Sequence, residues 1–214
     1  MEIYANQKGF THAAYVGMSQ KYRDDNGDQT LRLDYDLDSN SYVMDVGGFE
    51  GNWAQDIYCK YKCKVEVYEP IAKYVEIISN KFNHNRDVKV NPYGLGHGNF
   101  EDVPMEEIGD ATGGFNPSTE ESELVQIKDI VEEITSKGRR INLLKLNIEG
   151  AEYLLLERMM ETGVMDIVDN IQVQFHIFVK DYEYRREQIR KKLSETHEIT
   201  YDYPFIWENW KIKQ

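Results

Sequence analysis

Apolar positions along the chain recur with two different periods, and their alternation lays out the elements. Tyr42, Val43 and Met44 form a short, uniformly apolar run into Asp45, as expected for a strand buried on both faces of a parallel sheet. Lys64 to Tyr68 read as the next strand, ending at Glu69-Pro70. Ile71, Val75, Ile78 and Phe82 then recur at helical spacing, and Val88 and Val90 begin a third strand. Val125 to Ile134 reads as a short strand passing into an amphipathic helix, and Ile141 to Leu146 as another buried strand followed by a helix through Leu154, Leu155 and Met159. Ile171, Val173 and Phe175 alternate in a strand that delivers His176. Asp181 to Glu195 is a charged helix whose Tyr182, Ile189 and Leu193 face the sheet. His197 to Tyr203 and Ile206 to Ile212, parted by Pro204, are close enough to form a hairpin.

Strands alternating with helices predict an α/β fold of the Rossmann-like kind, with a mostly parallel seven-stranded sheet finished by a C-terminal antiparallel hairpin. Residues 1–40 are expected to form an N-terminal cap segment on a domain of residues 41–214. Within the cap, Leu31, Leu33, Tyr35 and Leu37 alternate with Arg32, Asp34, Asp36 and Asp38 after an Asn26-Gly27 turn, which predicts a half-buried strand. The cap is expected beside the ligand cleft, where Lys8, His12 or Tyr15 could touch substrate. His97 to Glu123 is polar, acidic and glycine-containing, with Thr112-Gly113-Gly114-Phe115 at its middle, and reads partly as a short strand and partly as a substrate lid.

The chemistry concentrates at Asp45-Val46-Gly47-Gly48-Phe49-Glu50-Gly51, between the first strand and its helix. Gly47, Gly48 and Gly51 allow a tight turn and let a ligand lie against bare backbone, while the first amides of the helix attract negative charge. Glu69 ends the next strand, roughly 20 residues on, where a carboxylate can accept both hydroxyls of a ribose. A dinucleotide fingerprint has Gly-x-Gly-x-x-Gly, whereas this turn reads Asp45-x-Gly47-x-x-x-Gly51. A carboxylate there repels pyrophosphate but can hold an ammonium, which favours S-adenosylmethionine as the cofactor. Gly94, in Asn91-Pro92-Tyr93-Gly94, lets backbone approach a flat ring such as adenine. A second stretch, Asn147-Ile148-Glu149-Gly150-Ala151-Glu152, puts an amide and a carboxylate at a strand's carboxyl end, and His176 reaches the same edge. The expected cofactor-binding set is therefore Asp45, Gly47, Gly48, Gly51, Glu69, Gly94 and Asn147. The blander readings are that Asp45 merely caps its turn and that His176 is a core histidine bonded to backbone.

The chain has 214 residues, 41% hydrophobic and 29% charged, which suits one domain with a sizeable core. Its net charge of -13 repels polyanions at long range, so nucleic acid is not an expected partner. A small anionic substrate held by a local cationic cluster stays compatible with that charge. No apolar run approaches the roughly 18 residues of a membrane span and no leader is recognisable, so a cytoplasmic protein without a membrane partner is expected. Cys59 and Cys63 read as buried free thiols. The acidic turn at Asp24 to Asp28 lacks the alternate-ligand spacing of a calcium loop, and no metal site is predicted.

From about Leu31 to the C-terminus the chain resembles the FkbM-type methyltransferases, a branch of the class I S-adenosylmethionine-dependent enzymes. The resemblance rests on Asp45 to Gly51, on Glu69-Pro70 and on Leu144 to Glu152, with support from Gln174-Phe175-His176 and Trp207 to Trp210. Asn147 stands where the family usually has Asp. The resemblance implies an O-methyltransferase acting on a hydroxyl of a sugar or glycan precursor, in surface-polysaccharide or secondary-metabolite synthesis. Its expected partner is a small sugar or nucleotide-sugar, and homo-oligomerisation is left open. An alcohol is a poor nucleophile until its proton begins to leave, so His176 is expected as general base, with Glu149 orienting it or holding the sulfonium side. Two other classes are weighed: an NAD-dependent oxidoreductase on the same sheet, and a cofactor-binding partner protein without its own catalysis.

Overall fold

Tyr42–Val46 forms strand β1, buried along its whole length at the middle of a seven-stranded sheet in the computed structural model, which describes residues 9–105 and 122–213. Parallel neighbours flank it: β2 (Lys64–Tyr68) on one side and β7 (Leu143–Leu146) on the other. Outward from these lie β3 (Val88–Asn91) and β8 (Asn170–Val173), both parallel. The sheet closes with β10 (Trp207–Ile212) between β8 and β9 (His197–Tyr203), antiparallel to both. The expected seven strands and terminal hairpin are present. A second sheet of three short strands joins β4 (Gly94–Gly96), β6 (Glu123–Asp129) and β5 (Phe100–Met105) in that order.

The chain goes from β1 outward through β2 and β3, then returns to β7 on the other side of β1. That reversal opens a crevice at the carboxyl ends of β1, β2 and β7, where open α/β sheets bind ligands.

Helices cover both faces because both faces are apolar. On one, Met44, Val46, Leu144 and Leu146 pack with Ile130 and Ile134 of α4 (Ile130–Ser136), with Leu155, Leu156 and Met159 of α5 (Glu152–Thr162), and with Ile189 and Leu193 of α6 (Tyr182–Thr196). On the other, Val43, Val65, Val67 and Leu143 meet Ala54 and Ile57 of α2 (Asn52–Tyr61) and Ile78 of α3 (Ala72–Lys81).

The N-terminal region departs from expectation. His12–Asp24 is a helix, here α1, capped by the Thr11 hydroxyl, which accepts from the Ala14 amide at 3.1 Å. Its Tyr22 packs with Ile206 and Trp207 at the hairpin side of the sheet. Residues 31–37 alternate in burial as predicted, yet they form no strand. Their backbone is satisfied by side chains of α2 instead. The Leu33 carbonyl accepts from Lys60 Nζ and Tyr61 Oη, both at 2.8 Å, and the Arg32 carbonyl accepts from Trp53 Nε1 at 3.2 Å. Cys63 is buried as expected, but Cys59 is exposed on α2. Lys8 and the glycine-containing segment around Thr112 to Phe115 lie outside the described residues. Among the described residues no helix is long and apolar enough to cross a membrane.

Candidate functional site

A cavity of about 290 Å³ opens at the carboxyl ends of β1, β2 and β7. The main sheet contributes Gly47, Glu69, Asn147 and Glu149 to its lining, and the small sheet contributes an apolar wall of Leu95, Phe100, Val103, Met105 and Ile127. The main-sheet side is mixed, with Phe49, Tyr68, Pro70 and Ile148 beside the polar groups, and the small-sheet side is apolar apart from His97. None of residues 9–40 lines it, so His12 and Tyr15 are not at the cleft.

The glycines of the first turn divide their labour. Gly47 lines the cavity with a φ of 82°, and a Cβ there would fall 1.9 Å from the Asn147 carbonyl oxygen. Its bareness lets the turn after β1 and the turn after β7 touch. Gly48 and Gly51 do not line the cavity, contrary to the expectation of ligand against their backbone. A Cβ on Gly48 would meet Val67 Cγ1 at 2.2 Å, and one on Gly51 would press on Ile78 at 3.2 Å, so these two serve packing beneath the turn. Gly94 does line the cavity, close against Ile127.

Asp45 is also placed differently. It is fully buried and faces Lys145 in register on β7, with Oδ1 and Nζ 2.8 Å apart, and it is not part of the cavity lining. Lys145 Nζ donates to the Gly47 carbonyl as well, at 2.6 Å. The carboxylate thus holds a lysine that holds the turn. Burial lowers the Lys145 pKa, against the pull of Asp45.

Glu69 sits at the end of β2, buried, with one oxygen accepting the Phe49 amide at 2.8 Å and the other the Ile71 amide at 3.0 Å. Each oxygen retains a lone pair, and the residue lines the cavity. Burial raises its pKa to about 7, although the two amides and Lys145 pull it down.

At the end of β7, Asn147 lines the cavity with its Oδ1 buried and without a hydrogen-bond partner. Glu149 lines the cavity too, and its backbone is left-handed with a φ of 49°. Behind it stands His176, whose Nε2 lies 3.3 Å from Glu149 Oε2 and whose Nδ1 lies 3.1 Å from Glu152 Oε1. Burial alone would depress the imidazole, but Glu152 and Glu149 together raise its pKa to about 10. Held between these two carboxylates, the ring favours its protonated form. His176 is not itself a lining residue; Glu149 stands between it and the cavity.

Two residues of consequence were not singled out from the sequence. Lys145 interrupts the apolar run of β7, and a charge inside a buried strand is a signal that it has a partner. Glu152 falls within the second motif but needed the fold to reveal what it holds. Among the described residues no group of three or more His, Cys, Asp or Glu is arranged to hold a metal ion.

Residues 45–203 match the profile of the methyltransferase FkbM domain. No curated protein gives a significant sequence match. Among solved structures, an rRNA methylase from Streptococcus thermophilus is similar with a TM-score of 0.51 and 11% identity, over 83% of this chain and 90% of that one. A ribosomal protein L11 methylase from Lactobacillus delbrueckii subsp. bulgaricus is similar with a TM-score of 0.50 and 12% identity, over 88% of this chain and 78% of that one. The 23S rRNA methyltransferase ErmE gives a TM-score of 0.50 and 9% identity, over 88% of this chain and 68% of that one. At these identities the likeness is one of fold. The same fold thus serves methylases of rRNA and of ribosomal protein, which overturns the expectation of a small sugar or nucleotide-sugar partner with nucleic acid excluded. Net charge averages over the whole surface, while recognition depends on the patch that meets the ligand.

Proposed function

The chain belongs to the FkbM methyltransferase family, and on that premise we propose that it transfers a methyl group from S-adenosylmethionine to a hydroxyl oxygen of a sugar unit. The observation that carries the reading is a carboxylate, Glu149, lining the same cavity as Glu69.

The lining fits the cofactor. Glu69 has lone pairs left for two ribose hydroxyls, and the apolar wall of Leu95, Phe100, Val103, Met105 and Ile127 suits adenine. The unpartnered Asn147 Oδ1 can accept from the amino group of the methionine portion, next to Gly47. Bound there, S-adenosylmethionine supplies an electrophilic methyl on a sulfonium.

The residues of the chain then have three tasks. Gly47, Asn147 and Glu69 orient the cofactor, and positioning of this kind accounts for much of the rate in a displacement that needs in-line approach. The apolar wall keeps water from competing for the methyl. Glu149 accepts the acceptor hydroxyl's proton as the oxygen attacks, and His176 beside it stabilises the arrangement as a fixed cation.

The test is methyl transfer from labelled cofactor to a panel of saccharides, nucleotide-sugars and RNA, with the product linkage determined. Label in an ether on oxygen, lost in Glu149→Gln, is the expected result. Label found solely on nitrogen overturns the O-transfer reading.

A further inference from the structure

Glu152 is the first residue of α5, and its side chain is fully buried although it carries a carboxylate. It does not line the cavity. Its Oε1 accepts the Ile148 amide at 2.6 Å and its Oε2 accepts the Gly150 amide at 2.9 Å, so the two oxygens bracket the amide on either side of Glu149. The same Oε1 lies 3.1 Å from His176 Nδ1, while the other ring nitrogen faces Glu149. From the outer side, Phe178 and Val179 fill the space above Gly150, where a Cβ would meet them at 2.9 and 2.8 Å.

We propose that Glu152 is the positioning residue of the site: by clamping the 148 and 150 amides and anchoring the His176 ring, it holds Glu149 in its left-handed backbone and fixes where its carboxylate points. This rests on the reading of Glu149 as the proton acceptor and deepens it. A non-glycine residue in the left-handed region is strained and persists only where the surroundings over-determine it. Here the determination is visible. Two amides held by one carboxylate leave the peptide planes on both sides of Glu149 little freedom, and the imidazole stands 3.3 Å from its carboxylate. A histidine between two carboxylates also keeps Glu149 and Glu152 from repelling each other at close quarters. Among the described residues the ionisable groups facing the ring are those two carboxylates; from α5, the Tyr153 hydroxyl donates to the His176 carbonyl at 2.9 Å and fixes the backbone that carries it.

The test uses the whole protein without ligand. Nitrogen-15 NMR of the His176 ring, followed from about pH 5 to 10, reads the clamp independently of any turnover. In the wild type both ring nitrogens should stay protonated at about pH 8. In Glu152→Gln the proton affinity of the ring should fall at least about tenfold, and the amide signals of residues 148–150 should broaden or shift. Turnover should drop on the order of 10²-fold, with affinity for S-adenosylhomocysteine within about threefold. An unchanged ring titration in Glu152→Gln overturns the proposal whatever Glu149 does. Should that variant not fold, the wild-type spectrum still decides, since a neutral His176 at about pH 7 removes the charged clamp. If the ring titration falls while Glu149→Gln turns over normally, the proton-transfer reading fails and the positioning role stands.

Discussion

Lys145 and Asp45 face each other in register on adjacent parallel strands, 2.8 Å apart and both buried, and the lysine extends the contact to the carbonyl of Gly47. A charge pair inside the sheet thereby supports the turn that lines the cavity. Removing one partner strands the other in a low-dielectric interior. Lys145→Met should therefore destabilise the fold by about 3–5 kcal/mol. The double variant Asp45→Asn, Lys145→Met should recover part of that loss in chemical denaturation, and a double variant no better than the single would show that the pair is not what matters.

Glu69 is expected to make cofactor affinity depend on pH near neutrality. Its folded pKa is raised to about 7, so the ionised form needed to accept two hydroxyls is lost as pH falls through that value. Calorimetry should show S-adenosylhomocysteine binding weaken below about pH 7, and Glu69→Gln should bind more than about tenfold more weakly with that pH dependence flattened. The sign for stability is opposite. A raised carboxyl pKa contributes stability that is full below the ordinary value of 4.5 and lost as pH rises through about 7, so the ligand-free variant should lose this part of the wild-type pH dependence.

Gly47→Ala is expected to damage folding and binding together, because the added Cβ would fall on the Asn147 carbonyl and the φ of 82° disfavours any side chain. A loss of about 1–3 kcal/mol in thermal or chemical unfolding is the expected outcome. A variant of unchanged stability that only loses cofactor would instead place the clash with the ligand.

Glu149→Gln should lower turnover by about 10²- to 10⁴-fold while leaving cofactor affinity nearly intact. The rate profile of the wild type should show no limb from His176 at the ordinary histidine value of 6.5, since its pKa is raised to about 10. A limb near 6.5 that vanishes in His176→Gln would restore the histidine as base.

The same raised pKa predicts how His176 supports the fold. Its contribution is fully present below about 6.5 and is lost as pH climbs through about 10. The stability gap between wild type and His176→Gln should thus be about 2 kcal/mol at pH 6 and close toward pH 10. A gap that widens with pH would contradict the ion-pair geometry.

How much of this could be read beforehand depends on how local each signal is. The run into Asp45, the glycine turn and the acid ending β2 lie within 28 consecutive residues, from 42 to 69, and their chemistry is carried by spacing alone. Residues 31–37 misled because their alternation is real: Leu33 does point inward and Asp34 outward. What a one-dimensional pattern cannot hold is that Trp53, Lys60 and Tyr61 of α2 take the carbonyls that a neighbouring strand would otherwise take. Helix α1 was missed for the converse reason, since its apolar side is sparse and only Tyr22 of it is buried. His176 was placed at the correct edge, but its protonation depends on Glu149 and Glu152, which are distant in sequence and meet it only through the parallel pairing of β7 and β8. Strand order, rather than periodicity, decided its chemistry.

The cavity has one mixed bank on the main sheet and one mainly apolar bank on the three-stranded sheet. Any molecule long enough to touch both becomes a crossbar between two sheets that share no strand pairing. Lifting the small sheet away would then require letting the ligand go, and at a ligand concentration a hundred times the dissociation constant that adds about 2.7 kcal/mol to the cost of opening. Amide exchange at Val125 and Ile127 should slow accordingly when S-adenosylhomocysteine is added, while exchange in β9, at the far edge of the main sheet, should change less.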